Sequence, residues 1–140
     1  TRAGWRVDPF PLIWHKTDNA GILPDYNRGP RRTYETALFA SRGDRKIVRA
    51  VANSFGGPTS REFHTSEKPQ PMLEHFLKMV TDETTRMLDP TAGSGNAVRV
   101  AWSLGADAAL GLELDPAFAA TAQSNVLAGA NALDKGAVRT

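Results

Sequence analysis

The reading of the fold turns on Arg86-Met87-Leu88-Asp89-Pro90-Thr91-Ala92-Gly93-Ser94-Gly95 and on the residues just beyond it. Arg86-Met87-Leu88 has the residue types of a short strand. It runs into a turn rich in Pro and Gly, and the turn runs into a helical segment that Leu104-Gly105 closes. Ala108 to Leu114 reads as the next strand. Asp115 and Pro116 then start a last helix, the Asp as a cap and the Pro at home in the first turn. Strand, glycine loop, helix, strand, helix is a βαβ unit, whose crossover belongs to a parallel sheet, so the expected class is α/β.

Gly93-Ser94-Gly95 lies where a ligand can approach the main chain closely, because no side chain intrudes and the helix N-terminus offers free N–H groups. A lone Gly-x-Gly is weak evidence, and Val98 stands where the dinucleotide fingerprint has its third glycine. Glu113 adds to it. At the end of the following strand, its carboxylate is placed to accept hydrogen bonds from both hydroxyls of a ribose. Asp89, at the tip of the first strand, suits an amino group and would repel a phosphate. The pair therefore fits an adenosyl ligand carrying an ammonium group better than a nicotinamide dinucleotide, whose pyrophosphate needs an acceptor-free turn. The plainer alternatives are that Asp89 merely caps the loop and that Glu113 is a solvated strand end.

Working upstream, Pro69 and Pro71 followed by Met72, Leu73, Phe76, Leu77 and Val80 predict a helix that Thr81 and Asp82 end. Residues 52–63 carry so much Gly, Pro and Ser that they read as a surface connection. Strands are expected at Phe10–Trp14 and Thr33–Ala40, with a long loop over 17–32 between them. Trp102 reads as core packing, His75 as an exposed helix position, and His15 as a satisfied structural histidine.

Composition fits one soluble globular domain: 140 residues, 41% hydrophobic, 23% charged. No apolar run is long enough to span a membrane and no secretory signal is evident, so a cytoplasmic setting is expected. The chain opens on Thr1 and enters a strand almost at once, which reads as a piece of a longer protein. With no cysteine, chemistry built on a thiolate nucleophile, such as carbon-5 methylation of cytosine, is excluded for these residues. Net charge is only +2. Even so, Arg28, Arg31, Arg32, Arg42, Arg45, Lys46 and Arg49 crowd one segment against Glu35 and Asp44 alone. Such a cluster either contacts phosphates or is a solvated loop.

Several stretches are similar to the permuted amino-methyltransferases of DNA, particularly the phage and prophage adenine methyltransferases. His64-Thr65-Ser66-Glu67-Lys68-Pro69 resembles the family's His-x-(Thr/Ser)-x-Lys-Pro element. Leu88 to Gly95 resembles its Leu-Asp-Pro-x-x-Gly-Ser-Gly loop. Leu104-Gly105 with Gly111-Leu112-Glu113-Leu114-Asp115 resembles its ribose-binding strand. Pro11-Leu12-Ile13-Trp14-His15-Lys16 and Gly29-Pro30-Arg31-Arg32-Thr33-Tyr34-Glu35 resemble segments that follow the catalytic region. The chain departs from the pattern at Thr91, where the family has Phe, and at Asn96-Ala97, where it has Thr-Thr.

The resemblance implies part of a doubly wound, Rossmann-like methyltransferase sheet, incomplete on its N-terminal side. Residues 1–50 would supply strands and a basic loop on the target side, and 64–128 the cofactor-binding region. It implies S-adenosyl-L-methionine held by Ser66, Lys68, Asp89, Pro90, Thr91, Ala92, Gly93, Ser94, Gly95, Glu113 and Leu114, with Lys68 meeting the cofactor carboxylate. It implies double-stranded DNA as partner, contacted by Arg28, Arg31, Arg32 and Tyr34, with Tyr26 beside them, in a bacterial host cell. Methyl transfer would go to an exocyclic amino group, adenine N6 ahead of cytosine N4. No metal site is expected. No catalytic residue is expected either, because the family's Asp/Asn/Ser-Pro-Pro-aromatic tetrapeptide is absent and Asp8-Pro9-Phe10-Pro11 has ring and proline exchanged. The rival readings are a non-catalytic, methyltransferase-like DNA-binding module, which an upstream tetrapeptide would disfavour, and a nicotinamide-dependent oxidoreductase, which Asp89-Pro90 disfavours.

Overall fold

A computed structural model describes residues 3–21, 23, 25, 27–62 and 66–137, with side chains described as far as 130. The βαβ unit predicted from the sequence is present: β6 (Arg86–Asp89), α2 (Asn96–Ser103) and β7 (Ala108–Gly111), with the strands parallel and registered from Arg86↔Ala108 to Asp89↔Gly111. The second strand ends at Gly111 rather than Leu114. Leu112 turns its backbone to the loop instead, donating its N–H to Asp89 O and accepting from Ala92 N at 2.8 Å each. A Cβ on Gly111 would lie 2.7 Å from Ala92 Cβ and 3.0 Å from Val98 Cγ2. The close helix–strand approach that a third fingerprint glycine would allow is thus obtained from the strand side, with Val98 in place.

Helix α2 buries Val98, Val100 and Ala101. These smaller side chains fill the contact, and Trp102, expected in the core, is left 44% exposed on the flank. Gly105, at φ +88°, turns the chain out of the helix. The last helix, α3 (Pro116–Ala137), is capped as expected: Asp115 Oδ1 accepts from the N–H groups of Ala117 and Phe118. Helix α1 (Gln70–Leu77) begins after Pro69, with Pro71 in its first turn. On the sheet face away from α2, the register partners Leu88 and Leu110 are 58% and 59% exposed, and Leu114 beyond them is 97% exposed.

The N-terminal part centres on β2 (Leu12–Lys16), paired antiparallel with β3 (Tyr34–Ala37) and parallel with β5 (Ser54–Gly57). A two-residue ladder joins β1 (Arg6–Val7) to β4 (Ala40–Ser41). Strand β5 corrects the expectation of a connection without regular structure over 52–63. Glycine weakens a strand's intrinsic preference but leaves its N–H and C=O free to pair, and β2 supplies the partner. Trp14 seals the contact, 4% exposed, its indole N–H donating to Gly57 O at 3.0 Å. His15, next along β2, faces the other way and is exposed, so it is not the satisfied structural histidine expected. His75 is also corrected: it is half-buried between α1 and β5, Nε2 2.8 Å from Ala52 O, its ring 5.4 Å from that of Phe55. Asp18 pins the turn after β2 to Thr59, accepting from the Thr59 hydroxyl at 2.7 Å and its N–H at 2.8 Å. Those two bonds, the hydroxyl first, hold its carboxyl down at about 2.

Candidate functional site

Where the glycine loop, the end of β7 and the segment before α1 converge, they line an open cavity of about 820 Å³, within the range of small-molecule sites. Ser66 and Lys68 form one side. Asp89, Thr91, Ala92, Gly93 and Ser94 line it from the glycine loop, and Glu113 and Leu114 from beyond β7. Two residues expected at the site are not on its wall. Pro90 is exposed at the outer corner of the turn. Gly95, at φ +77°, is the residue before α2, and a Cβ there would lie 3.1 Å from Ala122 O, so its place is against α3.

Glu113 is fixed by main-chain donors. Oε1 accepts from Asp115 N at 3.0 Å and Oε2 from Gly93 N at 2.9 Å. These bonds, Asp115 first, hold its carboxyl below the usual range. A carboxylate has about four acceptor sites, so roughly two remain for a pair of hydroxyls. Asp89 Oδ1 accepts from Thr91 N at 3.0 Å, which makes the aspartate a loop cap. The rest of its acceptor capacity, on the cavity wall, can take an ammonium group.

Lys68 is engaged in a different way from that expected. Its Nζ lies 2.9 Å from Glu35 Oε2, 3.4 Å from Ser66 O and 6.0 Å from the Trp14 ring centroid. Lys16 binds the other oxygen of Glu35 at 2.7 Å. Burial raises the Glu35 carboxyl, but the hydrogen bonds from Lys16 and Lys68 outweigh it, and the net shift is downward. A ligand carboxylate in the large cavity would therefore share Lys68 with Glu35. A smaller cavity of about 300 Å³, lined by Trp14, Lys16 and Glu35, borders the first across Ser66, Glu67 and Lys68.

Sequence reasoning missed the polar interior behind this wall. Asn96, 3% exposed, donates to Glu67 Oε1 at 2.6 Å and Lys68 O at 3.1 Å, and accepts from Gln70 Nε2 at 3.1 Å and Asn125 Nδ2 at 2.9 Å. Asn125 also donates to Ser94 O and accepts from Arg99 Nη1, both at 2.8 Å. The one signal available was the departure at Asn96 from the family's Thr.

The basic segment is solvent-facing. Arg28, its side chain 88% exposed, lies 3.6 Å from Asp25, and Arg31 donates to Gly21 O at 3.1 Å. Arg32 is exposed beside Tyr34, which is 59% exposed on β3. Arg45, counted in the same cluster, is instead held by Val80 O and Asp82. Tyr26, His64 and Thr65 lie outside the described residues. Among the described residues no helix is long and apolar enough to cross a membrane, and no group of three His, Cys, Asp or Glu can hold a metal ion.

No protein-family model and no curated protein sequence matches the chain. Solved structures do. M1.HpyAVI in complex with SAM is similar at a TM-score of 0.72 and 18% identity, over 89% of this chain and 64% of that one. A second structure of M1.HpyAVI gives 0.68 and 20%, over 89% and 62%. A Thermus thermophilus protein assigned as a DNA modification methylase, complexed with S-adenosyl-L-methionine, gives 0.67 and 23%, over 91% and 56%. The chain spans less than two thirds of the length of each. At these identities the likeness establishes the fold, a mixed α/β, Rossmann-like architecture.

Proposed function

We propose that this chain is the cofactor-binding part of an S-adenosyl-L-methionine-dependent DNA methyltransferase of the permuted type, acting on an exocyclic amino group, adenine N6 ahead of cytosine N4. The observation that carries the proposal is that Glu113 and the loop after Leu88, Asp89 included, line one cavity and are joined by the Gly93 N–H on Glu113. Glu113 holds the ribose hydroxyls, Gly93 and Ser94 allow close approach, and Asp89 takes the ammonium group. Lys68, shared with Glu35, would meet the carboxylate. The cofactor, when bound, supplies a methyl group on a sulfonium. These residues would hold it at the edge of the sheet.

The neighbours crystallised with S-adenosyl-L-methionine support the choice of cofactor, and the DNA modification methylase supports DNA as substrate. Adenine rests on the resemblance to the phage branch. Arg28, Arg31, Arg32 and Tyr34 are the proposed DNA contacts, in keeping with their exposure. The amine-holding tetrapeptide is proposed to come from outside these residues, since Asp8 spends its Oδ1 on the N–H of Phe10, whose ring is 70% exposed. Isothermal titration with S-adenosylhomocysteine tests the reading, with NAD as control. Saturable heat with the former alone is expected. A folded sample silent at near-millimolar ligand ends the proposal.

A further inference from the structure

The hydrogen bonds behind the cavity wall run in one direction. A guanidinium can only donate, so Asn125 must present its oxygen to Arg99 and its amide nitrogen to Asn96 and Ser94 O. Asn96 must then present its oxygen to Asn125 and its nitrogen to Glu67 and Lys68 O, and a carboxylate accepts. With Gln70 donating to the same oxygen, all four bonding positions of the Asn96 carboxamide are used. The relay Arg99→Asn125→Asn96→Glu67 has its polarity set at both ends, and only an amide meets two acceptors on one side and two donors on the other.

Its members come from three separate elements. Glu67 and Lys68 precede α1, Asn96 opens α2, and Asn125 lies in α3. Both the segment before α1 and the glycine loop are cavity walls, and Glu67 and Asn96 themselves line it. We infer that Asn96 is the positioning residue of the cavity, and that its bond to Glu67 holds the Ser66–Lys68 wall in register with the glycine loop. This rests on the cofactor reading above and goes beyond it, because Asn96 stands where the resembled loop has Thr. The register is a property of this chain's own residues.

The test is a double-mutant cycle on the whole protein, reading S-adenosylhomocysteine affinity by calorimetry and the melting temperature by circular dichroism. Asn96→Asp places an oxygen against Glu67 and should weaken binding at least about tenfold. Adding Glu67→Gln restores a donor opposite that oxygen. The affinity loss should then shrink, with a coupling between positions 67 and 96 of at least about fivefold. Additive losses overturn the inference. So does coupling in melting temperature without coupling in affinity, which would leave the pair a scaffold contact only. If Asn96→Asp fails to fold, a folded, ligand-binding double variant supports the inference and a second failure overturns it. Should the unsubstituted protein bind no ligand, the cofactor reading fails, and the melting data still report whether the two side chains are paired.

Discussion

On the proposed reading, Glu113 is the residue on which ligand binding depends most directly. Glu113→Gln keeps its shape, removes the charge and turns one of its two acceptor oxygens into an N–H donor, which would face the N–H of Asp115 or Gly93 and could no longer accept from a diol. Binding of S-adenosylhomocysteine should weaken about 10- to 100-fold, read by titration calorimetry. The carboxyl is held below its ordinary range by the N–H groups of Asp115 and Gly93. The depressed carboxyl contributes stability that is present above its unfolded value and lost only as pH falls through the lower folded one. Affinity should therefore stay flat from neutral pH down to about 5, and a decline setting in near 6 would assign the effect to another group. That Glu113 and Asp89 line one cavity was legible because both lie at or just beyond the end of a strand, where ligands of such sheets gather. Asn96 and Glu67 were not, since a pairing across 29 positions leaves no periodic trace in sequence.

Among the elements, the joint between α2 and α3 is the least tolerant. Gly95→Ala would force a side chain onto a left-handed residue and press it toward Ala122 O, so chemical denaturation should show a loss of about 1–3 kcal/mol. The turn after β2 makes a gentler case. Thr59→Val removes the hydroxyl that contributes most to the low Asp18 value of about 2. Asp18 should then titrate closer to its ordinary 3.8, followed by NMR of its carboxyl. The wild-type pin holds above pH 4 and fails as pH falls toward 2, and the variant should show less of that acid-dependent loss. The helices and the βαβ order were readable because apolar spacing and Pro or Gly punctuation agree there. Strand β5 was hidden because its stability comes from β2 and from Trp14 reaching Gly57, contacts that Ser54-Phe55-Gly56-Gly57 does not announce.

At the scale of the whole molecule, charge is distributed unevenly: a net +2 conceals exposed arginines between β2 and β3. If that face meets a polyanion, replacing Arg31 and Arg32 by Ala should lower affinity for duplex DNA and reduce the slope of log affinity against log salt by about 2. An unchanged slope would remove both from the interface. The α/β class could be read from element order alone, whereas the ion pairing of Lys16 and Lys68 on Glu35 could not, because it joins residues that only the folded chain brings together. The uncovered leucines on the outer side of β6 and β7 carry a practical corollary. An environment-sensitive dye such as an anilinonaphthalene sulfonate should glow on contact with the native protein at room temperature, before any heating. Fluorescence melts would start from a raised baseline, and mild non-ionic surfactant should improve the protein's colloidal behaviour without altering its secondary structure.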